Sequence, residues 1–429
     1  MHRRRFLQTT LGGFAGIAGL NALPLRTRRW PAHGGKPVSP EDTAFWQQVR
    51  NQFPLTRKRI YLNTGGLGPS PYPVIDTVRR KTDTLERISE SGHTHALWQE
   101  VKSSCARLLG CSPEELALTR NTTEGINIVC HGLPLEAGDE VITSTHEHVG
   151  NTLAWLLRQK KDGIRIRTFE PSMLSAQENV QRIEKLITPR TRVLSLMHVS
   201  TATGHVLPLR TIGELAKQHK LWFFVDGAQA AGMLPVDLAE IGCHAWATSG
   251  HKWMLGPKGT GLLYVRKDML DTISAQWIGA YSNSGTFDIR TGEFHLHPSA
   301  QRYEYGTVNT ALVAGLGAAA RFLLDIGPEN IWRHNLALAN KLRAGLRGLG
   351  CEDLSAHYPE GSSAMITFRV PGMARAEVQN LLASKYKLRT RGVYEGGLDG
   401  VRISLHLFNS FEEIDRIIEA VAAIKKHRK

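Results

Sequence analysis

The sequence predicts an α/β fold, with a mostly parallel central sheet carrying helices on both faces over residues 40–310 and a smaller α+β unit over 311–429. Three observations lead there. Between about residues 140 and 226, short apolar runs alternate with amphipathic stretches. The runs lack the polar alternation of a half-exposed strand, so they suit strands covered on both faces. After about Thr310 the pattern changes to a long helical region followed by mixed elements. A length of 429 residues is about two packed domains at ~100–200 residues each.

Taken in chain order, the first segment is Met1-His2-Arg3-Arg4-Arg5-Phe6-Leu7 followed by an uncharged, Gly-rich apolar stretch from Thr9 to Pro24. That stretch is shorter than the ~20 residues a spanning helix needs, so no stable membrane span is expected. Paired arginines before Phe-Leu have the layout of a twin-arginine signal, which exports folded cargo. Residues 1–31 are therefore expected to be a leader and the mature protein periplasmic, with a cytoplasmic protein as the alternative. Pro40 to Pro54 is a lead-in, and Tyr61-Leu62-Asn63-Thr64-Gly65-Gly66-Leu67-Gly68-Pro69 is dense in turn formers. Strands are predicted at 140–144, 192–197 and 221–226, and helices at 177–187 and 211–219, where apolar residues fall on one face. A long helical region is predicted from Ala311 to Leu349. A capping box of Ser410 with Glu413 opens the last helix.

Composition excludes several classes. The formal charge is +14, but six arginines precede the first acidic residue, Glu41, and without them the remainder is +8, mostly interspersed with acids. No basic stripe with interleaved aromatics is present, so no nucleic-acid partner is expected. The five cysteines, Cys105, Cys111, Cys130, Cys243 and Cys351, lack metal-ligand spacing and are odd in number, so neither a metal site nor a disulfide framework is predicted.

The residues that carry chemistry begin with Ser249-Gly250-His251-Lys252-Trp253-Met254-Leu255-Gly256-Pro257-Lys258-Gly259. A lysine that condenses with a carbonyl must lose its proton in a desolvated or electropositive setting, and glycines beside it let a flat, phosphorylated molecule approach the backbone. Alone, such a lysine is more often a surface residue in a Gly-rich loop. Asp226 ends the apolar run 222–225, and a carboxylate at the C-terminal end of a buried parallel strand stands where open α/β sheets bind ligands. Its plainer reading is a helix cap. Thr119-Arg120-Asn121-Thr122-Thr123-Glu124-Gly125 puts hydroxyls and unpaired N–H groups at a helix start, a setting that favours phosphate as well as ordinary capping.

In this order these segments resemble the fold-type I enzymes that use pyridoxal 5'-phosphate (PLP), in particular the class V aminotransferase family, and within it the branch of isopenicillin N epimerase. The resemblance spans about residues 58–424. It implies PLP as cofactor, Lys252 as its Schiff-base lysine and acid/base, and Asp226 as partner of the pyridine nitrogen. It also implies Gln229 at the ring hydroxyl, and Thr123, the Thr122 backbone, Ser249 and His251 at the phosphate. His148, after Glu147, matches the histidine that stacks on the ring. Thr307 in Gly306-Thr307-Val308-Asn309 matches the threonine that reaches the cofactor phosphate of a partner subunit, implying a homodimer. Arg402 in Val401-Arg402-Ile403-Ser404 matches the arginine that grips the substrate carboxylate, and Asn63 is assigned to the substrate with it. Two departures stand out. Thr201 follows His198-Val199-Ser200 where desulfurases have asparagine, and no cysteine lies in the loop 389–400 where a desulfurase carries its sulfur-accepting thiol.

The expected substrate is a small amino acid or aminoacyl group, bound through its amine. The expected reaction is epimerase-like or aminotransferase chemistry, with a C–S lyase or desulfurase-like enzyme, or a catalytically silent PLP-binding module, as alternatives. Epimerisation needs a second acid/base opposite Lys252, for which His205, Tyr394 and Tyr61 are the candidates.

Overall fold

The computed structural model describes residues 32–426; the leader predicted over 1–31 lies outside the described residues. The central sheet has seven strands, β1 (Leu116–Thr119), β2 (Glu140–Ser144), β3 (Arg165–Phe169), β4 (Thr191–Met197), β5 (Trp222–Asp226), β6 (Ala245–Ser249) and β7 (Gly261–Val265). Their order across the sheet is β1-β7-β6-β5-β4-β2-β3. β2 through β6 pair in parallel, and β7 runs antiparallel between β6 and β1.

The three predicted strands form within a residue of their expected bounds because their side chains are apolar on both faces. In β2, β6 and β7 every residue is buried, and helices on both sides exclude water. The chain leaves β2 in one direction to β3, then returns to the other side for β4, β5 and β6. The direction of winding reverses between β2 and β4, where the strands' C-terminal ends open a crevice.

A second, antiparallel sheet comprises β8 (Glu352–Asp353), β9 (Met365–Arg369), β10 (Arg391–Val393) and β11 (Gly400–Ser404) in the order β8-β9-β11-β10. Helices Pro328–Gly348 and Phe411–Lys426 close a core around Leu338, Leu342, Ile366, Ile403, Ile417 and Val421. The N-terminal segment joins this unit: Ile60–Tyr61 pairs in parallel with Leu388–Arg389, and Asn63 bridges to Ser404.

Two expectations are refined. The helical region expected from Ala311 to Leu349 is two helices, Thr310–Ile326 and Pro328–Gly348, bent by 75°. Gly327 takes φ +95°, and Pro328 cannot donate a backbone N–H, so the first helix ends and a new one starts. The capping box is half formed. Ser410 Oγ accepts from Glu413 N (3.3 Å), but the Glu413 carboxylate accepts from Asn409 Nδ2 (2.8 Å) and pairs with Arg50 (2.6 Å), because both lie closer in the folded chain. Among the described residues no single helix is long and apolar enough to cross a membrane.

Candidate active site

The crevice contains a cavity of about 290 Å³ whose lining includes Thr122, Thr123, His148, Thr201, Asp226, Ser249, His251, Lys252, Arg391 and Arg402. Strand ends supply most of it: Asp226 ends β5, Ser249 ends β6 with His251 and Lys252 in the following turn, and His148 follows β2. Gly68 backs the turn, its N–H donating to the His251 carbonyl (2.8 Å). A Cβ on Gly68 would stand 1.9 Å from the Lys252 carbonyl oxygen, so only glycine allows this approach.

On the anion-binding side, helix Thr122–Gly132 starts at the cavity, with Asn121 Oδ1 accepting from Glu124 N (2.9 Å) as its cap. Thr122 N donates to Ser249 Oγ (3.1 Å), and the two hydroxyls are 2.7 Å apart. His251 Nδ1 is buried and has no protein partner. His148 Nδ1 accepts from Gly150 N (3.1 Å), capping the helix Val149–Asp162.

The electrostatics follow from burial. Desolvation pulls the Lys252 amine down to about 8, with the Arg402 and Arg391 cations acting the same way and Asp226 opposing. Burial also raises Asp226, against the Ala228 N–H (2.9 Å), Lys252 and His148. His148 and His251 are both pushed down by burial and then by Lys252, which favours neutral rings.

On the opposite side, Arg402 is fully buried. Its Nη1 donates to the Thr201 carbonyl (2.6 Å) and Thr201 Oγ1 (3.1 Å), its Nη2 donates to Asn63 Oδ1 (3.0 Å), and its Nε has no partner. Burial and then the Arg391 cation push its pKa well down.

A model of the family described as aminotransferase class V matches residues 80–417. The chain belongs to the class V aminotransferase family. As a class V enzyme it is PLP-dependent, and its residues suit that cofactor. A buried carboxylate can hold the pyridine nitrogen, and a desolvated amine can condense with the aldehyde. The hydroxyls of Thr122, Thr123 and Ser249, a helix start and the unpartnered His251 Nδ1 can receive the phosphate.

Relatives of this class V chain include a probable cysteine desulfurase of Methanothermobacter thermautotrophicus, 28% identical over 88% of this chain and 98% of its own. An isopenicillin N epimerase of Streptomyces clavuligerus is 30% identical over 89% and 98%. Among solved structures, the cystine C–S lyase C-DES in complex with its reaction product cysteine persulfide superposes with a TM-score of 0.78, at 26% identity over 86% of this chain and 99% of its own.

Of the sequence-predicted residues, Lys252, Asp226, His148, Thr122, Thr123, Thr201, Ser249, His251 and Arg402 line one cavity. Gln229 stands one layer back. Its Nε2 donates to the Gly65 carbonyl (2.9 Å) and Thr201 Oγ1 (3.2 Å), and its Oε1 accepts from Trp253 Nε1 (2.7 Å). Asn63 also stands behind the lining, as a partner of Arg402. Thr307 lines a separate cavity with Arg120, Glu124 and Gly259. The three candidates for a second acid are outside the lining. Tyr61 Oη donates to the Leu67 carbonyl (2.5 Å), His205 Nε2 meets Tyr358 Oη (2.5 Å), and Tyr394 is exposed.

Arg391, Glu395 and Glu147 escaped sequence reasoning. Glu147 is buried, accepts from Ser144 Oγ (2.8 Å), Met197 N (3.1 Å) and Asn151 Nδ2 (2.9 Å), and so ties β2 and β4 to the segment bearing His148. Burial, reinforced by Asp226, raises it to about 7. Its adjacency to His148 was the available signal; Arg391 and Glu395 had none, lying in a stretch singled out for its lack of cysteine and for Tyr394.

Proposed function

We propose that this class V enzyme is a C–S lyase that expels sulfur from the β-carbon of a sulfur-containing amino acid as a small molecule, without a protein thiol. The observation that carries this reading is the cavity lining, which holds one amine, Lys252, but no thiol and none of Tyr61, His205 and Tyr394. That none of the three candidate second acids lines the cavity weighs against epimerisation, and the relatives named as desulfurases and C–S lyase weigh toward the alternative that the sequence left open. Against a persulfide-forming desulfurase, the name that several of these relatives carry, stand the cysteines of this chain. Cys105, Cys130, Cys243 and Cys351 are buried, burial raises the thiols of the first three to about 12, and the half-buried Cys111, which burial also raises, does not line the cavity.

In this mechanism the bound PLP supplies an electron sink. Arg402 orients the α-carboxylate, and Asp226 keeps the ring nitrogen protonated. The Lys252 amine, neutral above about pH 8, takes the proton from Cα. The β-carbon–sulfur bond breaks, its electron pair leaves on sulfur, and solvent protonates the thiol. Water then converts the three-carbon remainder to pyruvate and ammonia.

The test is a panel of L-cysteine, L-cystine and S-alkylcysteines, with L- and D-alanine plus a 2-keto acid as controls, offered to the PLP-loaded protein. Pyruvate formed in step with a released thiol or persulfide is expected. Amino transfer to the keto acid, or inversion at Cα without pyruvate, would return the reading to aminotransferase or epimerase.

We also propose a homodimer in which Thr307 serves the neighbouring subunit's cofactor. In support, Thr307 does not line the Lys252 cavity of its own chain, and Val149, Leu153, Leu156 and Leu157 leave an exposed apolar stripe beside His148. Export through the leader is likewise proposed on its arginine pair, and fusing residues 1–31 to a reporter that must fold before transport tests it.

A further inference from the structure

The family resemblance puts Gln229 at the hydroxyl of the cofactor ring, but in the folded chain its amide is already engaged. Trp253 Nε1 can only donate, so the amide oxygen of Gln229 faces it (2.7 Å). The Gly65 carbonyl can only accept, so the amide nitrogen faces Gly65 (2.9 Å). These two partners fix which way the amide points, and its second N–H goes to Thr201 Oγ1 (3.2 Å). Both N–H donors of Gln229 are therefore taken up by the protein, in a buried setting. Gly65 permits this arrangement: a Cβ there would stand 3.0 Å from Gln229 Oε1 and 3.1 Å from Arg402 Nη2.

Thr201 is the group that these contacts prepare. Its Oγ1 accepts from two sides, from Gln229 Nε2 and from Arg402 Nη1 (3.1 Å). A hydroxyl has two lone pairs and one hydrogen, so with both lone pairs occupied only the hydrogen is left to bond. Among the described residues no group accepts it, and Thr201 lines the cavity that holds Lys252. The hydrogen therefore turns toward the cavity, with a guanidinium bonded directly behind its oxygen. A donor backed by a cation suits an anionic oxygen. The substrate carboxylate has Arg402 itself, whereas the ring oxygen is the one that Gln229 leaves without a donor.

We propose that Thr201 binds the ring oxygen of PLP as a hydrogen-bond donor, and that Gln229 is a positioning residue that aims the Thr201 hydroxyl from behind. The assignment is independent of which reaction the enzyme catalyses. It has a spectroscopic consequence. When PLP is joined to Lys252, the Schiff-base nitrogen and the ring oxygen share one proton. A donor on that oxygen favours its anionic state, so the proton is lost at a lower pH than it would be without Thr201.

The experiment is a pH titration of the visible absorbance of the PLP-loaded protein, with no substrate present. In Thr201→Val, which keeps the shape of the side chain, the midpoint is expected to rise by about one pH unit, the scale of a lost hydrogen bond to a charged oxygen. Thr201→Ser, which restores the hydroxyl, should return it toward the unmodified value. Gln229→Met should raise the midpoint by less than Thr201→Val does. The double variant should titrate like Thr201→Val alone, because Gln229 acts through Thr201. Retained cofactor absorbance reports that each variant has folded. An unchanged midpoint in Thr201→Val would overturn the proposal and turn its hydroxyl toward the substrate carboxylate instead. Shifts from the two residues that add in the double variant would place Gln229 on the ring oxygen itself, and no shift in Gln229→Met would remove it from the positioning role.

Discussion

The two walls of the cavity are built in different ways. The cofactor wall is local: Asp226, Ser249, His251, Lys252, Thr122 and Thr123 sit at strand ends or a helix start, each held by groups from the central sheet and its turns. The substrate wall is assembled over distance. Arg402 bonds to Thr201 and to Asn63 across separations of 201 and 339 residues, and it stands beside Arg391 only through the register of β10 and β11. A one-residue slip of β11 would turn Arg402 away from the cavity and leave the cofactor wall unchanged. On the roles proposed above, cofactor chemistry depends on a few turns, and substrate choice depends on the packing of the second sheet against the first.

The largest test of that division is Lys252→Ala. Turnover is expected to fall by at least about 10³-fold, with loss of the absorbance near ~420 nm that borohydride abolishes in the unmodified protein. Asp226→Asn comes next, lowering kcat about 10²-fold or more with KM less affected, since an amide cannot hold the ring nitrogen protonated. On the other wall, Arg402→Met should raise KM about 10–100-fold, as expected for a lost charge-assisted contact. Removing a buried cation that has no carboxylate partner should also leave the melting temperature of the protein unchanged or higher, read by calorimetry. A lowered melting temperature would mean that Arg402 holds the two sheets together.

Two pH effects are smaller. Lys252 must be neutral to capture the cofactor aldehyde, so PLP uptake by the cofactor-free protein should speed up as pH rises and level off above about 8. Stopped-flow absorbance at several pH values checks this. His198, His205 and His334 are lowered to about 4, and His406 to about 3, chiefly by burial. Their folded-state pKa values lie below the unfolded value of ~6.5, so the unfolded chain binds more protons as pH falls below ~6.5. Stability should therefore decline from about pH 6.5 toward pH 4, in thermal melts across that range.

Much of the cofactor wall was legible because strand ends announce themselves. The run 222–225 ending in Asp226, and the glycines after Lys252, carry their structural meaning within a few residues. Gln229 shows the limit of that reading. Its place near the site was legible, but its amide is taken up by Gly65, Thr201 and Trp253, groups that only the folded chain brings together. The half-formed capping box at Ser410 fails for the same reason, since Arg50 and Asn409 reach Glu413 in three dimensions.

By itself the sequence determined the mostly parallel sheet, the buried strands, the lysine and aspartate of the cofactor wall and the lack of a thiol in the loop 389–400, because each is written in local periodicity or residue identity. Tertiary structure alone decided that Arg391 faces Arg402, that Glu395 pairs with Arg391, and that Tyr61, His205 and Tyr394 stand outside the lining. Strand register and the docking of distant segments fix those relations, and neither leaves a mark in the spacing of residues along the chain.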